Sequence, residues 1–174
     1  MAKTSAVDWP KQLYQLLVRE KVTQVAYVPD AGHKRLIELC RARRSMRCIP
    51  LTSEEEGVAL LAGAWLGGAR GVLLMQSSGV GNCINMLGMI QECRFPLLVL
   101  VTMRGEWGEF NPWQVPMGQA TESVLENAGV IVQRADEAER VVETVQSAWR
   151  LAYDAYRAVA VLVSQRVIGA KAFK

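Results

Sequence analysis

Only one histidine, His33, occurs in the 174 residues, and the four cysteines, Cys40, Cys48, Cys83 and Cys93, include no C-x-x-C pair. That pattern disfavours both zinc ligation and a disulfide framework, so buried thiols in a reducing cytosol are the expectation. Charge excess is also small. Twenty Lys and Arg stand against 17 Asp and Glu, for a formal net charge of +3. A general nucleic-acid binder carries a much stronger basic surplus. Long apolar runs are missing too. A stretch such as Pro96 to Val101 falls far short of the ~20 residues that cross a bilayer, and Met1 to Lys11 contains no apolar signal core. There is no serine nucleophile elbow, no P-loop lysine and no full dinucleotide fingerprint. These absences point to a cytoplasmic domain with neither nucleic acid nor membrane as a partner.

What is present is enough apolar material, 51% of residues, to build a core. Disorder is excluded on that ground, because apolar burial must offset ordering entropy. The length suits one domain, so residues 1–174 read as a single unit. Strand-length apolar runs alternate with helix-length amphipathic stretches throughout. Asp8-Trp9-Pro10 marks a helix start, with proline where no hydrogen bond is lost. Strands are expected at Val22 to Val28, Arg47 to Leu51, Gly71 to Gln76, Pro96 to Thr102, Val130 to Val132 and Val159 to Val163. Helices are expected over His33 to Arg43, Glu54 to Leu66, the segment after Ser77-Ser78-Gly79-Val80-Gly81 to about Cys93, Ala120 to Asn127, and Ala135 to Tyr156. Ser53 and Glu56 have capping-box spacing. Six strands alternating with helices give an α/β domain whose parallel sheet carries helices on both faces. The pattern leaves the strand order open.

In open α/β sheets ligands collect at the carboxyl ends of the strands. Pro29 to His33, Thr52 to Glu56, Ser77 to Asn82 and Arg104 to Gln119 fall there. The acids Glu54, Glu55 and Glu56 suit a helix dipole, and a strand-end glutamate beside apolar neighbours also suits proton exchange. Ser78-Gly79-Val80-Gly81-Asn82 reads as a tight turn that lets a ligand approach the backbone. Cys83 and Cys93 read as packing residues on a buried helix. Arg41, Arg43, Arg44 and Arg47 form a basic cluster at a solvated helix end, with an acidic partner surface as the alternative. Arg104 to Met117 reads as a long loop that exposes Trp107, Phe110 and Trp113, as a lid or a subunit interface would.

Glu54-Glu-Glu-Gly-Val-Ala-Leu-Leu-Ala-Gly63 and Leu74-Met-Gln-Ser-Ser-Gly-Val-Gly-Asn82 together resemble the pyrimidine-binding domain of thiamine-diphosphate enzymes. The Met-Gln-x-Ser-Gly-x-Gly-Asn form is most similar to phosphonopyruvate and sulfopyruvate decarboxylases. Arg104-Gly-Glu106 and Gln114-Val-Pro-Met-Gly-Gln-Ala-Thr121 fit the same group, and the likeness runs from about Val22 to Val163. It implies a glutamate that hydrogen-bonds a ring nitrogen of the aminopyrimidine and so tunes its proton exchange with the thiazolium carbon. Counting back from Gly63 assigns that role to Glu54, whereas aligning on the following glycine gives Glu55; Glu54 is preferred. The resemblance places Ser78, Gly79 and Asn82 beside the cofactor, and His33 and Arg104 where the family meets substrate. It implies no metal ligand in this chain.

The family's other half carries Gly-Asp-Gly and a distant Asn, which bind magnesium and the diphosphate. No Gly-Asp-Gly occurs here. The resemblance therefore implies an α-type subunit whose β-type partner supplies the diphosphate-binding domain and Mg2+, with a small 2-oxo acid as substrate. Carboligation with the same cofactor, or a non-catalytic regulatory subunit of the same fold, are the alternatives.

Overall fold

The computed structural model describes residues 7–170, so most of the amino-terminal stretch read above for a signal core lies outside the described residues. In chain order the elements are α1 (Trp9–Arg19), β1 (Gln24–Tyr27), α2 (Lys34–Arg41), β2 (Arg47–Pro50), α3 (Glu54–Leu66), β3 (Gly71–Gln76) and α4 (Ser77–Cys93). Then follow β4 (Leu97–Thr102), α5 (Val115–Asn127), β5 (Ile131–Ala135), α6 (Val141–Tyr153), β6 (Ala158–Val163) and α7 (Gln165–Ile168). The six strands form one sheet in the order β2-β1-β3-β4-β6-β5. Every pairing is parallel.

Alternation along the strands creates two cores. Val25, Tyr27, Val72, Leu74, Leu98 and Leu100 point to one face, where α1, α2 and α6 cover them. Their neighbours Ala26, Leu73, Met75, Val99 and Val101 point to the other, beneath α3, α4 and α5. β4 is buried at every position, as expected of a central parallel strand apolar on both faces. The expected α/β fold with helices on both faces is what the chain adopts.

Local chemistry explains the boundaries. Asp8 caps α1 by accepting from the Lys11 amide at 3.3 Å, and it also binds the Arg35 guanidinium, which ties α1 to α2. α3 begins at Glu54 as expected, but only half of its capping box forms. Glu56 Oε2 accepts from the Thr52 amide at 2.9 Å, while the Ser53 side chain makes no capping bond. α4 starts directly at Ser77, so Ser77 to Gly81 are helical and not a turn. α5 begins at Val115, five residues before the expected Ala120, because Pro116 sits in the first turn where a missing N–H costs nothing. A short 3₁₀ turn at Pro112–Gln114 leads into it, which shortens the expected loop. At the other end of the sheet the Tyr153 hydroxyl accepts from Gly71 N at 2.8 Å and donates to Gly71 O at 2.6 Å, fastening α6 to the start of β3.

Candidate active site

The sheet reverses its winding between β1 and β3, and a crevice at the carboxyl ends of such neighbours is where α/β folds place ligands. Three short polar segments converge on that rim: the residues after β1, the start of α3, and the first turns of α4.

Glu54 is the first residue of α3 and is 7% exposed. Desolvating a carboxylate is costly unless it is hydrogen-bonded, and two features compensate. The helix dipole favours negative charge at this position, and Asn82 Nδ2 donates to Glu54 Oε2 at 2.8 Å. The other oxygen, Oε1, has no protein donor among the described residues. The carboxylate rests on Gly79. A Cβ added there would fall 2.3 Å from both Cδ and Oε1 of Glu54, so only glycine allows this approach. Glycine at 79 thus serves close packing between α3 and α4, since the backbone there is ordinary helix. Glu55 and Glu56 are exposed, the latter turned back to the Thr52 amide. Cys83, one turn beyond Gly79, has its thiol pushed up to about 12 by burial, with Glu54 and Glu55 adding to the shift. It is inert packing, as expected. Cys93 on the same helix is exposed, contrary to the packing role expected for it.

Ser78 is exposed and donates to Gln76 Oε1 at 3.0 Å. It borders an open cavity of about 610 Å³ whose other walls are Pro112, Trp113, Pro116 and Met117. Trp113 is 86% exposed, the most of the three loop aromatics. Trp107 lies beside the Arg166 guanidinium and Phe110 beside that of Arg104.

His33 and Arg104, which the resemblance sets near substrate, are both buried. His33 is fully buried; its Nε2 donates to the Leu100 carbonyl at 3.0 Å, and burial lowers its pKa against the pull of Asp30. The other ring nitrogen, Nδ1, is buried and has no hydrogen-bond partner among the described residues. Arg104 is also buried and grips Glu109 with two bonds, Nε to Oε2 at 2.5 Å and Nη2 to Oε1 at 2.6 Å. That guanidinium holds the Glu109 carboxyl down at about 2. An anionic substrate would have to displace a bidentate carboxylate, so Arg104 here shapes its own loop. Glu109 also accepts from Gln165 Nε2 at 2.9 Å, while Glu106 joins Arg134 to the Gln165 amide, both at 2.8 Å. The loop is thereby fastened to β5 and α7.

Sequence reasoning missed a second polar cluster. Asp30 accepts from Thr102 Oγ1 at 2.5 Å, from Gln76 Nε2 at 3.0 Å and from the Gly32 amide at 3.0 Å. Through Gln76 it continues to Ser78, so one hydrogen-bonded chain crosses the ends of β1, β3 and β4. The available signal was an aspartate immediately after a strand and a glutamine ending the next one over.

The family model for the thiamine pyrophosphate enzyme N-terminal TPP binding domain matches residues 9–116. The sulfopyruvate decarboxylase subunit alpha of Methanococcus maripaludis is 36% identical over 119 residues, covering 68% of this chain and 71% of that protein. A phosphonopyruvate decarboxylase of Streptomyces viridochromogenes is 38% identical over 107 residues, 60% of this chain but only 27% of that longer one. In structure, a 2-oxoglutarate:ferredoxin oxidoreductase from Magnetococcus marinus superposes with a TM-score of 0.75 at 14% identity, covering 93% of this chain and 29% of that one, which shows the shared fold. The chain therefore belongs to the family of thiamine pyrophosphate enzyme N-terminal TPP binding domains.

Proposed function

We propose that this chain is the α-type subunit of a two-chain thiamine-diphosphate-dependent 2-oxo acid decarboxylase of the sulfopyruvate or phosphonopyruvate class. The observation that carries the reading is the seat of Glu54: a buried carboxylate on bare Gly79, one oxygen held by Asn82 and the other without a donor among the described residues. The residues fit an aminopyrimidine, because a fixed acceptor beside an apolar wall is what recognition of a protonated ring nitrogen needs.

When bound, thiamine diphosphate supplies the carbon nucleophile and the electron sink for loss of carbon dioxide. Glu54 Oε1 holds the proton shared with the ring nitrogen, in surroundings where low dielectric strengthens the bond. Asn82 keeps Oε2 occupied, so the carboxylate presents a single oxygen in a fixed orientation. Ser78, Pro112, Trp113, Pro116 and Met117 line the open cavity alongside, which a partner chain would close over. Mg2+ and the diphosphate fall to a β-type partner that carries Gly-Asp-Gly and a downstream Asn. The site is then shared between chains, and the exposed Trp113 gains a surface to pack on. The chain alone should be inactive and bind cofactor weakly.

The test is reconstitution. The chain is mixed with such a partner, thiamine diphosphate and Mg2+, and carbon dioxide is measured from sulfopyruvate, phosphonopyruvate and pyruvate. Release from one of the two anion-bearing acids, in the mixture only, is expected. Release by this chain alone, or none from the mixture with either acid, overturns the reading.

A further inference from the structure

The amino-terminal ends of the strands, opposite the Glu54 site, hold a cavity that the proposed chemistry does not use. It lies where three connections meet: α4 to β4, α5 to β5, and α6 to β6. Leu87, Ile90, Gln91, Arg94, Tyr156 and Arg157 line it, and its volume is about 290 Å³. Leu87 and Ile90 are buried and form an apolar floor, while both arginines stand at the rim, exposed.

Three observations make this a built cavity. Neither Arg94 nor Arg157 has an ion-pair partner among the described residues, which leaves both guanidinium groups available to a ligand. Two non-glycine residues at the rim take left-handed backbone, Arg94 with φ 55° and Tyr156 with φ 54°. Such conformations cost free energy in side-chain-bearing residues and here turn the chain sharply into β4 and β6. Gly129, with φ 78°, makes room for the Gln91 amide: a Cβ at 129 would sit 2.1 Å from Gln91 Nε2. The Leu97 amide donates to the Arg157 carbonyl at 3.2 Å, so the two arginine-bearing turns are fixed side by side.

We propose that this cavity binds a small organic anion, its carboxylate or phosphate held by Arg94, Arg157 and the Gln91 amide and its apolar body resting on Leu87 and Ile90. Guanidinium groups are the preferred partners of both headgroups, and a polar rim over an apolar floor is the usual make-up of a metabolite site. The volume, about 290 Å³, lies just under the ~300–1,000 Å³ range of ligand pockets, which excludes a dinucleotide or coenzyme A. The site is separate from Glu54: Asn82, which holds Glu54, lies on α4, and Arg94 at the rim caps the same helix about 18 Å further along at ~1.5 Å per residue.

The experiment is calorimetric and NMR titration of the full chain with inorganic phosphate and, separately, benzoate at low-millimolar concentrations. Saturable binding of at least one probe is expected, with amide shifts centred on Gln91, Gly129 and Arg157; which probe binds identifies the headgroup. Arg157→Gln and Arg94→Gly, the latter keeping the left-handed turn, should each weaken binding about tenfold or more, as loss of a charge-assisted hydrogen bond does. Glu54→Gln should bind as wild type. No saturation with either probe overturns the proposal, as do shifts centred on Ser77 to Asn82, or undiminished affinity in both arginine variants.

Discussion

Replacing Gly79 with alanine is the smallest change that should dislodge Glu54. The added Cβ would lie 2.3 Å from the carboxylate carbon and Oε1 and 2.5 Å from Cγ, against ordinary contact at 3.4 Å or more, so the carboxylate must retreat by about 1 Å. Its bond from Asn82, now 2.8 Å, cannot follow that shift without lengthening. Misplacement of a reacting group by ~1 Å costs about 100-fold in rate. Stability should change much less. Overpacking costs roughly 1–3 kcal/mol, and alanine returns about 1 kcal/mol of helix propensity at a helical position. The measurements are a urea denaturation curve on the chain and the decarboxylation rate of the reconstituted pair. A folded Gly79→Ala chain with kcat reduced about 100-fold is expected. A folded variant within twofold of wild-type rate would refute the claim that Gly79 fixes the glutamate.

Asn82→Ala removes the donor on Glu54 Oε2 and should slow kcat by about 10- to 100-fold, the value of a hydrogen bond to a charged group. Asn82→Asp should also move the pH–rate profile upward, because adjacent carboxylates must share a proton. Glu109→Gln leaves the Arg104 guanidinium unpaired and should cost about 3 kcal/mol in urea denaturation at neutral pH. The Glu109 carboxyl lies below its ordinary 4.5, at about 2, so its stabilisation is complete above pH 4.5 and is lost as pH falls toward 2. The wild-type advantage over Glu109→Gln should therefore shrink across that interval, and an advantage that grows on acidification would contradict the pairing. Tyr153→Phe strips both bonds from the Gly71 backbone and should cost about 1–3 kcal/mol with no change in kcat.

The elements most legible in the sequence were those whose signal is local. The unbroken apolar run of β4 and the acid-rich start of α3 needed no tertiary information. Pro116 was misleading because proline serves a loop and a first helical turn equally well. α7 is only four residues long and is held by Gln165, whose partners Glu106 and Glu109 lie 59 and 56 residues away, beyond any periodicity signal. The site shows the same division. That Glu54 and the Ser-Gly-x-Gly-Asn segment serve one site was implied by the family resemblance, whereas their direct contact was not. That Arg104 would be neutralised by Glu109, or that Leu100 would supply the carbonyl to His33, depends on how the chain packs. The Asp30–Gln76–Ser78 chain was hidden for the same reason, since it exists only once β1 and β3 are neighbours.

The most direct test of the central claim compares Glu54→Gln with Glu55→Gln in the reconstituted pair, each first shown to melt like wild type. Only Glu54 is buried against Gly79 and Asn82, so Glu54→Gln should lose about 100- to 10,000-fold in kcat while Glu55→Gln stays near wild type. Carbon dioxide release that survives Glu54→Gln, or that depends on Glu55 instead, would contradict the account.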